Sequence, residues 1–138
     1  MTEARVLSIR QPYAELIVSG TKRVENRSWS TKYRGLVLIH AARQTATHGA
    51  HLHPDTPRLA RRGIVGVAEL VDVVSGSDDP WFSGPFGLVL ENARRVPFAS
   101  WRGTLALVAV PPDDVALLLK GKHPAQVTTR GASEGLFG

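Results

Sequence analysis

The stretch GIVGVAELVDVV, Gly63–Val74, constrains the fold more than any other part of the chain. Its β-branched side chains lose freedom in a helix and pack well on a pleated surface, so it predicts one long, largely buried strand. Other runs read the same way. ARVLSI (Ala4–Ile9) alternates like a strand, LVLIHAA (Leu36–Ala42) has the branched content of a buried one, and KRVENR is a short polar strand or extended segment. FGLVLEN (Phe86–Asn92) and RGTLALVAV (Arg102–Val110) read as two strands joined through ARRVPFASW. Helical spacing occurs twice. In QPYAELIVSG, Pro12 suits the first helical position, Tyr13, Leu16 and Ile17 form an apolar stripe, and Gly20 is a stop. DDVALLLK reads as a closing helix capped by Asp113 or Asp114. Five to six strands, two short helices and no strand–helix–strand alternation predict an α+β fold, a small and mostly antiparallel β-barrel with peripheral helices.

A chain of 138 residues is expected to form one domain, and its 43% hydrophobic content suffices for a core. The barrel is expected over residues 1–112, with a mobile, His-rich loop at 43–62; residues 113–138 hold the closing helix and a loosely ordered tail. The absence of cysteine excludes disulfides, thiolate metal sites and a cysteine nucleophile. It fits a reducing cytoplasm. The opening MTEARVLSIRQ has no secretory pattern, and no run approaches the roughly 20 apolar residues of a membrane helix, so no membrane partner is expected. The net charge of +5 is unevenly spread: residues 1–62 carry eleven Lys and Arg against four Asp and Glu, residues 63–138 six against eight. A basic half beside a mildly acidic one favours anionic partners, nucleic acid among them.

The basic half has its densest chemistry in GTKRVENRSWSTKYRG, Gly20–Gly35. On a regular strand Glu25 and Arg27 share a face and Lys22 points away, unless a twist after Gly20 brings it round. Brought together, Lys22 and Glu25 form a charge-coupled pair and Arg27 a phosphate or carboxylate anchor; left apart, they make a solvent-facing ladder of little energetic weight. Trp29, Tyr33 and Arg34 either stack on an unpaired base and hold its phosphates, or plug the core. Just upstream, the N-terminus of the first helix offers amides to an anion, with Arg10 and Gln11 beside it, and Tyr13 reads as core. His40 reads as a hydrogen-bonded core residue, and Glu69 as an inward carboxylate partnered by Lys22 or an arginine. His48, His51 and His53 sit in a loop too irregular for a rigid metal site. No phosphate-cradling or dinucleotide loop and no serine triad signature is present, so neither metal nor cofactor is expected.

The same residues resemble the ASCH domain, a relative of the PUA domain. The likeness rests on SIRQPYA, on GTKRVENR in the family's Gly-x-Lys-x-x-Glu-x-Arg form, on WSTKYRG before an apolar strand, and on GIVGVAELVDVV and GLVLENARRVPFASWRGTLAL further on. It implies a PUA-like barrel with a cleft beside the first helix. Lys22, Glu25 and Arg27 would line that cleft, with Ser8, Arg10, Gln11 and Pro12 on the adjoining wall. It implies as partner RNA, another single-stranded nucleic acid or a nucleotide-like small molecule. Some members resembling this chain are enzymes, a deacetylase of acetylated cytidine and a ribonuclease. An enzyme here would use Lys22 and Glu25; the deacetylating branch, however, has threonine where this chain has Glu25.

Overall fold

A computed structural model describes residues 3–125. Six strands form one sheet: β1 (Ala4–Ile9), β2 (Val24–Arg27), β3 (Gly35–Ala41), β4 (Gly63–Val74), β5 (Phe86–Ser100) and β6 (Val108–Val110). Among the described residues two short helices, α1 (Tyr13–Val18) and α2 (Pro112–Leu118), accompany the sheet in an α+β fold. The spatial order is β2-β5-β4-β3-β1-β6. Four ladders are antiparallel, but β1 runs parallel to β3, so α1 and β2 together form the crossover between two parallel strands. The expected barrel is corrected here. Among the described residues no ladder joins β2 to β6, and the mixed sheet does not close.

Both faces of the sheet are covered, which is why its central strands read as apolar runs. One face carries Leu7, Ile9, Val37, Ile39, Leu70, Leu88 and Leu90 against Ala14, Ile17 and Val18 of α1. The other carries Val6, Leu38, Ile64, Val67 and Ala99 against Val115 and Leu118 of α2. The α1 contact is so close that a Cβ on Gly66 would lie 2.3 Å from Val18 Cγ1 and 2.5 Å from the Arg94 carbonyl oxygen. No helix among the described residues is long and apolar enough to cross a membrane.

Two expectations about the second half are also corrected. ARRVPFAS is not a connection; it continues β5 to Ser100, paired with β4 from Gly63 to Val74. Its charged side chains face solvent, and Pro97 falls between the paired residues Arg95 and Ala99, where the register shifts and no ladder amide is needed. Conversely, only Val108–Val110 of RGTLALVAV is strand. The preceding backbone is spent on side chains instead: the Trp101 carbonyl meets His40 and the Thr104 amide donates to Ser8. α2 is preceded by Pro111 at its N-cap, with Asp113 and Asp114 inside its first turn and no side-chain cap. The loop 43–62 contains two 3-10 turns, Ala50–Leu52 and Thr56–Arg58. Most of the expected tail, from residue 126 onward, lies outside the described residues.

Candidate functional site

The end of α1 builds the site. Gly20 adopts φ +83, a left-handed conformation that favours glycine, and the Lys22 amide folds back to the Leu16 carbonyl at 2.9 Å. Lys22 therefore lies before β2 rather than in it, and its side chain turns to the side that Glu25 occupies. Lys22 is 3% exposed; its Nζ donates to the Val24 carbonyl and, at 2.9 Å, to Glu25 Oε1. Arg27, two residues along the strand from Glu25, donates to Glu25 Oε2 from Nε at 3.2 Å and Nη2 at 2.9 Å. Nη2 also reaches the Ser8 carbonyl at 2.8 Å, tying β2 to the end of β1. One carboxylate is thus clamped between two cations in a nearly dry place.

Two hollows flank this triad. The smaller, about 320 Å³, is walled by Tyr13, Trp81 and Phe82, with Lys22 and Glu25 at its base. Lys22 Nζ lies 5.5 Å from the Tyr13 ring centroid and 5.9 Å from that of Trp81, within range of a cation–π attraction. The larger, about 550 Å³, runs from Arg10 and Arg27 to Thr47 and His48. Tyr13, Glu25 and Asn26 border both. Asn26 holds the aromatic wall in place: Nδ2 donates to the Trp81 carbonyl at 2.8 Å, and Oδ1 accepts from the Ser83 and Gly84 amides. Sequence reasoning missed Asn26, Trp81 and Phe82. The adjacent aromatics in DDPWFSGP were the available signal, since a turn seldom carries two bulky aromatics without a surface to cover.

The remaining predicted residues are distributed as follows. Arg10 is exposed, lines the larger hollow and donates to Gln44 Oε1 at 3.2 Å. Gln11 is 2% exposed and braces the fold, donating to the Ala60 carbonyl and accepting from the Glu15 amide. Pro12 precedes α1 as its N-cap. The amides of Ala14, Glu15 and Leu16 are all bonded, to the Arg10 carbonyl, Gln11 Oε1 and the Pro12 carbonyl, so they are not free to hold an anion as expected. Ser8 turns its side chain to the opposite face, toward His40.

Trp29, Tyr33 and Arg34 line neither hollow. Trp29 and Tyr33 pack against the core, and Tyr33 donates to the Leu36 carbonyl at 2.7 Å with the Arg5 guanidinium 4.5 Å above its ring. Burial raises the Tyr33 hydroxyl above its ordinary range, helped by Glu3 and opposed by Arg5. Arg34 is exposed and bonds the Thr31 and Tyr33 carbonyls. Glu69 accepts from Asn92 at 3.1 Å, rather than from Lys22 or an arginine. Among the described residues no three His, Asp or Glu side chains converge to hold a metal ion.

Comparison with known proteins bears on this geometry. A family model described as the ASCH domain matches residues 7–108. Activating signal cointegrator 1 from Homo sapiens is 57% identical over 35 residues, which are 25% of this chain and 6% of that protein's length; the protein of that name from Mus musculus matches to the same extent. The chain therefore spans a small fraction of these relatives. The crystal structure of ASCH from Zymomonas mobilis resembles the fold with a TM-score of 0.55 at 16% identity, covering 82% of this chain and 91% of that one. A point mutant of that bacterial protein gives a TM-score of 0.57 at 17% identity, covering 82% and 92%.

Proposed function

Because the chain belongs to the ASCH domain family, we propose that the slot between Tyr13, Trp81 and Phe82 receives an unpaired base of RNA, or a nucleotide-like ligand, against the Lys22–Glu25–Arg27 triad. The observation that carries this reading is the buried triad itself. Withdrawing three charges from water costs several kcal/mol per ion, and well-packed apolar residues would often serve stability as well. A function of the charges explains their retention. Lys22 has three N–H donors and uses two, and Arg27 Nη1 has no hydrogen bond among the described residues. The triad thus offers spare donors to carbonyl or phosphate oxygens. Aromatic walls suit base stacking, which is worth about 1–3 kcal/mol per base. The basic N-terminal half and the family's association with RNA support the same ligand class, met in the cytoplasm.

The alternative is a hydrolase acting on a modified nucleoside or on RNA, with Lys22 polarising a carbonyl and Glu25 activating water. The 2.9 Å Lys22–Glu25 contact favours it. Both Glu25 oxygens are already engaged by cations, which favours binding over base catalysis. The test is binding of short single-stranded RNA to the wild type and to Lys22→Met, which keeps the stem and removes the charge. Affinity falling with salt, and weakened in the variant by about 1–3 kcal/mol, is expected. Absence of binding to the wild type at low salt would overturn the reading, and turnover of acetylated cytidine lost in Glu25→Gln would replace it with the hydrolase.

A further inference from the structure

On the opposite side of Ser8 lies a basin of about 670 Å³ that the triad does not use. Three arginines from three separate segments meet there: Arg43 follows β3, Arg62 precedes β4 and Arg102 follows β5. No Asp or Glu lines the basin, and none of the three arginines forms an ion pair among the described residues. Arg27, Arg34, Arg58 and Arg95, by contrast, each meet a carboxylate. Three exposed arginines on one basin with no counter-charge make its local potential positive, which favours an anion there.

The floor of the basin is built rather than incidental. The Trp101 carbonyl can only accept, so His40 Nε2 carries the proton of the neutral ring at 2.8 Å, and Nδ1 accepts from the Ser8 hydroxyl at 2.9 Å. Ser8 Oγ in turn accepts from the Thr104 amide at 2.9 Å. This chain of bonds locks the Trp101–Thr104 backbone onto the sheet and so fixes where Arg102 stands. Gly103 is pressed against it; a Cβ there would lie 3.2 Å from His40 Cε1 and 3.3 Å from Ser8 Oγ. Arg62 is fixed too, its amide donating to the Ala41 carbonyl and its carbonyl accepting from the Trp101 amide. It holds φ +68, a conformation glycine or asparagine adopts at lower cost. The position nonetheless carries a guanidinium.

We propose that this basin is a phosphodiester site, holding the backbone of the same RNA strand whose base enters the slot at Lys22. The proposal rests on the RNA reading above for its ligand class, and on the arginines for its own evidence. Ser8 borders both the basin and the larger hollow, and Tyr13, Glu25 and Asn26 border both that hollow and the slot, so the three hollows adjoin in sequence. Guanidiniums match phosphate oxygens with paired, parallel hydrogen bonds. The Ser8 hydroxyl, the His40 ring and the Thr104 amide are spent on one another and on the Trp101 carbonyl, so the arginines are the side chains left to meet the ligand. The basin therefore supplies position and affinity, and the slot supplies selectivity.

The test is the salt dependence of binding of a single-stranded RNA of about eight nucleotides, between about 50 and 200 mM salt. The triple variant Arg43→Gln/Arg62→Gln/Arg102→Gln is expected to lower the slope of log affinity against log salt by about 1–2, at roughly 0.7 per phosphate contact. Arg58→Gln in the neighbouring loop removes one charge outside the basin, as each single basin variant does within it, and leaves the slope as it was. If the triple variant melts below the wild type, Arg43→Gln and Arg102→Gln singly carry the test, each lowering the slope by about 0.7. An unchanged slope in the arginine variants, with Lys22→Met still weakening binding, overturns the basin alone. A reduced slope with no effect of Lys22→Met keeps the basin and removes the slot. A wild type that binds no RNA overturns both.

Discussion

Lys22 and His40 are equally withdrawn from water, at 3% and 2% exposure, yet the protein treats them in opposite ways. Lys22 is given a carboxylate at 2.9 Å, a backbone carbonyl and two aromatic rings. His40 is given a hydroxyl and a carbonyl, which suit a neutral ring. Around Lys22 the charges are inside and mutually compensated; around His40 they stand outside, on the exposed arginines of the rim. A buried charge that has been provided for is preorganised to meet a ligand, because the desolvation was met on folding. A buried neutral ring is a structural brace.

Removing the counter-charge breaks that contrast most violently. Glu25→Ala leaves Lys22 and Arg27 facing one another in a dry site, and a loss of about 3–5 kcal/mol is expected from denaturant unfolding. Glu25→Gln, which still accepts hydrogen bonds, is expected to lose less. Equal stability of Glu25→Ala and the wild type would mean that water reaches the triad and that the buried-charge argument fails.

Acid sharpens the His40 side of the comparison. Burial lowers the His40 pKa below the usual 6.5, and the hydrogen bond to Trp101 only partly opposes the shift. The unfolded chain therefore takes up a proton more readily than the folded protein as pH falls. The stabilisation is fully present above the unfolded value, near 6.5, and is lost as pH drops through the folded one. The unfolding midpoint should decline from pH 7.5 to pH 5, and His40→Gln should flatten that decline. A variant with the same pH profile as the wild type would assign the acid sensitivity to other groups.

How much of this was legible in the sequence depended on the range of the contact. Glu25 and Arg27 are two apart on a strand, so their shared face follows from the pleat. Lys22 needed the tight turn at Gly20, which local residues announced without fixing its outcome. The aromatic wall was illegible for a different reason: Asn26 and Trp81 meet across 55 positions, and nothing near either one encodes the partner. ARRVPFAS resembled a connection because it carries two arginines and a proline, although Arg94, Arg95, Ala99 and Ser100 pair with β4 on either side of the irregularity at Pro97. The sheet's two-sided burial was visible in its apolar runs, but the parallel β1–β3 pairing and the strand order that leaves β2 and β6 at opposite edges were not.

The smallest effect is expected where sequence composition pointed most plainly to ligand contact. Arg34 stands among aromatics and cations like those of the slot, but it is 41% exposed and lies 3.8 Å from an Asp72 that is 61% exposed. Pairs of this kind contribute about 0–1 kcal/mol and are screened by salt. Its bonds to the Thr31 and Tyr33 carbonyls shape a surface turn that water can satisfy in its place. Arg34→Ala should therefore cost under about 1 kcal/mol in unfolding, less at high salt, and change RNA affinity far less than Lys22→Met. An RNA effect as large as that of Lys22→Met would extend the bound strand across the Tyr33 side of the sheet, and exposed cations there would count as much as buried ones.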